Sequence, residues 1–129
     1  MPSSSLRQSL NATPDAVPRA RRLVCDFLNE NHPDSDDLEH SVALAVSEAV
    51  GNAVRHAYPG EAGPVEVEAS VDDADLVVYV RDQGVGVAEG SEDPGLGLGM
   101  MIMRQFGRLR IDPRPGGGTQ VSLRFRLRG

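Results

Sequence analysis

The stretch SEAVGNAVRHAY, Ser47 to Tyr58, decides how the rest of this chain is interpreted. As an α-helix it would place Glu48, Asn52 and His56 one turn apart, because four residues advance about 400° around the axis. The three polar side chains then form one slowly winding stripe on a helix that is otherwise rich in alanine and valine. A solvated helix face is the simplest interpretation of this stripe. A ligand site is the alternative, and other parts of the chain decide between the two.

Hydrophobic spacing predicts two long helices ahead of most of the strands. Thr13 as the N-cap and Pro14 at the first helical position indicate a helix that runs to about Asn31. The acidic residues at 34–37 suit the positive end of a second helix, which contains the opening stretch. That second helix is expected to end at 58–60, where the chain reads Tyr-Pro-Gly.

The strands are predicted to form one sheet. Residues 64–71 alternate apolar and polar side chains, as in a strand with one buried face, whereas 75–82 is more continuously apolar and therefore more central. A short helix is expected at 100–106, and further strands at 6–12, 108–112 and the C-terminus. The predicted fold class is α/β: a two-layer α/β sandwich whose mixed, mainly antiparallel sheet is covered on one face by helices. A segment at 1–12 with the edge strand precedes a single domain at 13–129.

Composition narrows the classes of function. The chain has 129 residues and a formal charge of −6, which suits one acidic domain and disfavours direct binding to nucleic acid. All 13 cations are Arg, which excludes the phosphate loop GxxxxGK[ST] because that loop needs a Lys. One cysteine, Cys25, excludes an intramolecular disulfide and is expected to be a buried thiol. No apolar run approaches a membrane span, and a cytoplasmic protein is expected.

Three glycine-containing motifs follow the helical stretch. DQGVG, residues 82–86, ends the apolar strand, where the carboxylate can accept a hydrogen bond from an amino group of a flat ligand. GLGLGM, residues 95–100, leads into a helix, and free N–H groups at a helix start favour phosphate. GGGT, residues 116–119, opens the last strand, and Thr119 could hydrogen-bond a base or a water. Each signal is weak alone, but the four signals together and in this order make a strong one.

The four motifs resemble those of the histidine-kinase-like ATPase superfamily, which has the Bergerat ATP-binding fold. ExxxNxxxHAY is similar to the N box of that family, DQGVG to its first glycine box, GLGLGM to its second and GGGT to its closing motif. The resemblance covers nearly the whole chain from residue 13 onward. The short length and the HAY ending look most like the bacterial anti-sigma-factor serine/threonine protein kinases.

The resemblance implies a role for each motif. In that family the N-box Glu is taken to be the general base and the Asn a magnesium ligand, which here are Glu48 and Asn52. The Asp of the first glycine box, here Asp82, binds the adenine amino group. The other residues implied to contact ATP and Mg²⁺ lie in the glycine boxes and at the ends of the matched motifs: His56, Gly84, Gly86, Gly95, Leu96, Gly97, Leu98, Gly99, Met100 and Thr119. Residues 87–95 would be a mobile lid, and His56 could instead only pack at the helix end.

Partners are also implied by the resemblance. The substrate would be a Ser or Thr of an anti-anti-sigma protein, the alternative partner would be a sigma factor, and homodimers are suggested. Neither nucleic acid nor a membrane is an expected partner. Some members carry an Arg just ahead of the second glycine box, where this chain reads Asp93-Pro94-Gly95. ATP binding is therefore better supported than kinase turnover, and Arg55, Arg81 and Arg104 remain candidates for the terminal phosphate.

Other interpretations stay open at this point. The first alternative is an interaction module that binds ATP, or has lost it, and regulates a partner only by sequestering it. The second is the catalytic domain of a two-component histidine kinase, which the sequence disfavours because it has no helical dimerisation segment with a phosphoacceptor His. Gyrase-like ATPases of the superfamily need a transducer domain, for which this chain has no room.

Overall fold

The computed structural model of the protein describes residues 5–33, 36–57, 63–84 and 107–127. In chain order, the strands and helices are β1 (Ser5–Asn11), α1 (Ala16–Asn31), α2 (Asp36–Asn52), a π-helical turn (Ala53–Ala57), β2 (Pro64–Asp72), β3 (Asp75–Asp82), β4 (Gly107–Pro113) and β5 (Thr119–Arg126). The helix predicted at 100–106 lies outside the described residues. No helix in the described part of the chain combines the length and the apolar composition that crossing a bilayer requires.

The five strands form one sheet in the order β1-β2-β3-β5-β4. The strand at 75–82 is the central one, as its continuous apolar run predicted. Every described pairing is antiparallel, so the sheet is not mixed in this part of the chain. In the β2–β3 hairpin, Val65 lies opposite Asp82, and Asp72 lies opposite Asp75. The predicted α/β sandwich is confirmed.

The two faces of the sheet differ because side chains alternate along each strand. One face is buried beneath the helices, in a core of aliphatic side chains with Phe27 and Phe125. The opposite face is polar. There Arg81, with its side chain 16% exposed, donates hydrogen bonds to Glu66 at 2.8 Å and Glu68 at 2.7 Å. Among the described elements, helices therefore cover one face only, as predicted.

The start of α1 corrects one prediction. The helix begins at Ala16 with Asp15 at the N-cap, and no side chain caps it. Thr13 is therefore not the N-cap; its carbonyl accepts a hydrogen bond from the Ala16 N–H at 2.8 Å, within a turn. The Ala12 N–H still donates to the Gly63 carbonyl at 2.7 Å, next to the β1–β2 pairing. The residues between this bond and Ala16 turn the chain, so the helix starts later.

The end of α2 corrects a second prediction. α2 begins with Asp36, Asp37 and Glu39 in its first turn, and their negative charges interact favourably with the positive end of the helix dipole. After Asn52 the chain continues as the π-helical turn rather than as an α-helix. Because π-helical bonding spans five residues instead of four, the regular four-residue spacing predicted as far as His56 ends at Asn52.

Candidate functional site

Asp82 ends β3 as a buried carboxylate. It is 8% exposed, and its Oδ1 accepts hydrogen bonds from the backbone N–H of Gly84 at 3.0 Å and of Thr119 at 3.3 Å. Burial raises the pKa of Asp82 above its ordinary value, and the two N–H groups and the charge of Arg114 offset part of this rise. Since both backbone donors reach the same oxygen, Oδ2 is the atom that can accept a hydrogen bond from a ligand.

The turn between β4 and β5 reaches the end of β3. Gly116, Gly117 and Gly118 have φ values of 85°, 114° and 99°. A Cβ on Gly118 would lie 2.1 Å from the carbonyl oxygen of Asp82 and 2.8 Å from the Cα of Gln83. Glycine at 118 is required both for the positive φ and for this close approach. The GGGT motif therefore supports the backbone around Asp82.

Arg114 also stabilises the junction between the β4–β5 turn and the end of β3 at Asp82. Its Nη1 donates a hydrogen bond to the carbonyl oxygen of Asp82 at 2.9 Å. Its backbone closes the turn: the Arg114 N–H donates to the Gly118 carbonyl at 3.0 Å, and the Gly117 N–H donates to the Arg114 carbonyl at 3.0 Å. Arg114 was not predicted as a site residue, although its position just ahead of the glycine run was an available signal.

The polar edge of α2 carries Glu48 and Asn52, and the structure adds Arg55 to them. The Nη2 of Arg55 donates a hydrogen bond to the Asn52 Oδ1 at 2.5 Å and lies 3.7 Å from the Glu48 Oε1. That Glu48 oxygen is buried and, at this distance, has an ion pair but no hydrogen bond. Arg55 follows Asn52 by three residues and Glu48 by seven, and this helical spacing was an available signal in the sequence.

The helix edge and the end of β3 belong to neighbouring elements. α2 packs against β3 and β5. Ala49 and Ala53, which flank Asn52 along the helix, share one buried cluster with Val80, two residues before Asp82. The helix that carries the carboxamide stripe therefore packs against the strand that ends at the buried carboxylate. This arrangement suits a ligand that spans both groups.

Other predicted site residues divide into two groups. The backbone of His56 lies in the π-helical turn, a form of helix frequent at functional sites, but its side chain is outside the description. The remaining residues lie outside the described part of the chain: Gly86, Gly95, Leu96, Gly97, Leu98, Gly99, Met100 and Arg104. Tyr58, at the end of the N-box motif, lies outside it as well, and so does the lid expected at 87–95.

Arg81 and Cys25 can be assigned to structural roles. Arg81 lies on the polar sheet face, opposite the helices, where it also donates to the Gln120 Oε1 at 2.7 Å. It is therefore not a candidate for a phosphate bound at the helix edge. Cys25 is buried, as expected, and burial together with Glu39 and Asp26 raises its pKa to about 11. Its thiol is correspondingly unreactive near neutral pH.

The residues at the helix edge fit a magnesium ion that arrives with phosphates. No group of three or more His, Cys, Asp or Glu side chains in the described ranges forms a metal cage. Magnesium typically takes one or two protein oxygens together with waters and substrate phosphates. The Asn52 Oδ1 is such an oxygen, and the buried Glu48 Oε1 one turn away has no hydrogen bond of its own.

Comparisons with known proteins agree with these features. The profile of the histidine kinase-like ATPase domain matches residues 10–125. An anti-sigma F factor of Clostridium acetobutylicum is 30% identical, over 81% of this chain and 81% of the relative. The anti-sigma F factor of Halalkalibacterium halodurans is 32% identical, over 84% of this chain and 82% of the relative. That of Pasteuria penetrans is 33% identical, over 81% of this chain and 78% of the relative.

The matched region contains every strand and helix of the described fold except residues 5–9 of β1 and the last residue of β5. It also contains the N-box, glycine-box and closing motifs from which the resemblance was recognised. The buried carboxylate at the end of β3 and the carboxamide stripe on α2 occupy the positions of those motifs. On these grounds, the chain belongs to the histidine kinase-like ATPase family.

Proposed function

We propose that the chain is an ATP-dependent serine/threonine protein kinase that also acts as an anti-sigma factor in the cytoplasm. The observation that carries the proposal is the buried Asp82 carboxylate, fixed by the Gly84 and Thr119 N–H groups, at the end of β3, a strand against which α2 packs. A fixed acceptor of this kind suits the amino group of adenine. The anti-sigma F factors to which the chain is similar act, by their name, on a sigma factor.

Each residue of the proposed mechanism has a distinct role. Asp82 orients the base, and the Asn52 carboxamide oxygen is the protein ligand of Mg²⁺. When bound, the ion supplies charge that offsets the triphosphate, which this Lys-free chain cannot offset with an ammonium group. Glu48 accepts the proton of the attacking Ser or Thr hydroxyl. Its side chain is 22% exposed, so the substrate hydroxyl can approach it.

The partners belong to the same proposal. The kinase would phosphorylate a Ser or Thr of an anti-anti-sigma protein and would sequester a sigma factor when that protein does not compete. The chain would act as a homodimer. The glycines of the second glycine box, with Leu96, Leu98 and Met100, would bind the phosphates. His56 would contact the ligand from the π-helical turn.

A phosphoryl-transfer assay tests the proposal. Wild type is incubated with Mg²⁺, labelled ATP and candidate anti-anti-sigma proteins, and compared with Glu48→Gln. Glu66→Gln is the matched control, since Glu66 pairs with Arg81 on the opposite sheet face. Transfer of label by wild type and by Glu66→Gln, but not by Glu48→Gln, would support the kinase.

One observation favours a second candidate, a module that binds ATP but regulates by sequestration alone. The chain has Asp93-Pro94 ahead of the second glycine box, where some members carry an Arg. Tight binding of ATP without transfer to any candidate substrate would favour this module. Absence of ATP binding, even with Mg²⁺, would contradict both functions.

A further inference from the structure

We propose that Arg55 is a built-in competitor for the magnesium site, and that it must leave Asn52 before Mg²⁺ can bind there. The inference rests on the proposed function, because it concerns the same Asn52 oxygen. Its basis is the short hydrogen bond from the Arg55 Nη2 to the Asn52 Oδ1, at 2.5 Å. The same guanidinium nitrogen lies 3.7 Å from the Glu48 Oε1 and so pairs with both groups of the stripe.

The competition follows from charge and from the identity of the shared atom. Asn52 has one side-chain oxygen, and its amide nitrogen is a donor that cannot bind a cation. A guanidinium hydrogen-bonded to that oxygen places a positive charge where a divalent cation would coordinate. Two cations at one neutral oxygen repel each other, and the attraction of Arg55 to Glu48 adds to the cost of moving Arg55. Arg55 and magnesium therefore exclude each other from Asn52.

Arg55 has room to move. Its side chain is 47% exposed, so a path toward solvent is open to the guanidinium. Gly51 allows the observed position: a Cβ there would lie 3.1 Å from the Arg55 Nη1, and its three nearest atoms are all in that guanidinium. The glycine thus accommodates the head group of Arg55 across the helix. An alanine at 51 would push mainly on this one group.

The consequence is that Arg55 raises the concentration of magnesium needed to saturate the site. If Arg55 occupies the Asn52 oxygen about nine-tenths of the time, the apparent affinity for magnesium falls about tenfold. Binding of nucleotide without magnesium does not use the Asn52 oxygen, so Arg55 has no such effect on it. Arg55 acts here as a positioning residue, since it controls access to the ion ligand rather than contacting a reacting atom.

The test measures magnesium dependence of nucleotide binding and does not use kinase turnover. A fluorescent ATP analogue at fixed concentration is titrated with MgCl₂ in wild type and Arg55→Met, and each variant is also titrated with the analogue in EDTA. Gly51→Ala is the second variant, because it keeps the charge of Arg55 but displaces its head group. Arg110→Met is the control for loss of one positive charge, since Arg110 pairs with Asp112 on the polar sheet face.

The expected result is a half-saturating Mg²⁺ concentration about tenfold lower in Arg55→Met and lower to a smaller extent in Gly51→Ala. Arg110→Met should match wild type in both titrations, and the titration in EDTA gives each protein its own reference for binding without the ion. An unchanged or higher magnesium requirement in Arg55→Met, with wild type binding normally, would overturn the inference but leave the proposed function standing. Absence of binding by wild type in both conditions would overturn both.

Discussion

Asp82 and Thr119 are the two buried polar residues in the described part of the chain. A buried carboxylate is costly unless it is hydrogen-bonded, and Asp82 receives two backbone N–H groups on one oxygen. These bonds could not be predicted from the sequence, because they depend on the β4–β5 turn reaching the end of β3. The residue itself could be predicted, since an Asp followed by glycines at a strand end is a local signal.

Asp82→Asn should weaken binding of ATP with little loss of folding. The Asn oxygen can still accept from Gly84 and Thr119, but an NH₂ group then replaces the oxygen available to the adenine amino group. We expect the dissociation constant for Mg²⁺·ATP to rise about tenfold or more, measured by calorimetry, with nearly unchanged thermal unfolding. Asp75→Asn is the control at the other end of β3, where Asp75 pairs with Arg124. Equal affinities in wild type and Asp82→Asn would contradict the adenine role.

The raised pKa of Asp82 gives a pH-dependent prediction. A carboxyl group with a higher pKa folded than unfolded binds more protons in the native state, so its contribution to stability is largest below its ordinary value of 3.8. That contribution is lost as pH rises from this value through the folded pKa. The free energy of unfolding of wild type minus that of Asp82→Asn should therefore fall with rising pH and then level off. Urea unfolding at several pH values measures it, and a difference that increases with pH would contradict the assignment.

At the scale of elements, the predictions were right where a segment had one regular pattern of apolar residues along its whole length. β3 was predicted at 75–82 and is Asp75–Asp82, and β2 extends the predicted 64–71 by one residue. The ends of the helices were harder. Thr13 resembles an N-cap locally, yet the bond between Ala12 and Gly63 governs the turn there. Alanine, valine and arginine do not distinguish a π-helical turn from an α-helix in the sequence. The stripe was therefore predicted to continue beyond Asn52, where the regular spacing ends.

The β4–β5 turn should be sensitive to substitution at one glycine in particular. Gly118→Ala combines a φ of 99° with a Cβ position 2.1 Å from the Asp82 carbonyl oxygen. We expect a loss of about 2–4 kcal/mol in the free energy of unfolding, because the backbone next to Asp82 must shift. Gly116→Ala is the matched control: its φ of 85° is also positive, but no atom lies within 4 Å of its Cβ position.

Chemical denaturation of the two variants checks this prediction. Gly116→Ala should lose only about 1 kcal/mol, the cost of the backbone conformation alone. Gly118→Ala should also weaken nucleotide binding if it still folds, since its backbone contact supports the Asp82 junction. Equal losses of stability in the two variants would contradict the close approach of this turn to β3.

At the scale of the whole molecule, the sheet has one face buried by helices and one polar face. Family membership followed from four motifs in order, because each motif is a local pattern of residue types. The spacing of Arg55 from Glu48 and Asn52 was also a signal in the sequence. The hydrogen bond itself could not be predicted, since the orientation of this long side chain depends on Gly51 and on the helix form. Arg81 illustrates the same limit: it adjoins Asp82 in sequence, but the strand alternation directs it to the other face.

The central claim is that the α2 stripe and the end of β3 bind one Mg²⁺·nucleotide together. NMR of ¹⁵N-labelled protein titrated with Mg²⁺ and a non-hydrolysable ATP analogue tests it most directly. We expect saturable shifts, with one common dissociation constant, of the Gly84 and Thr119 amides and of the Asn52 side-chain amide. Shifts confined to one of these two places, or to the polar sheet face around Arg81, would contradict it.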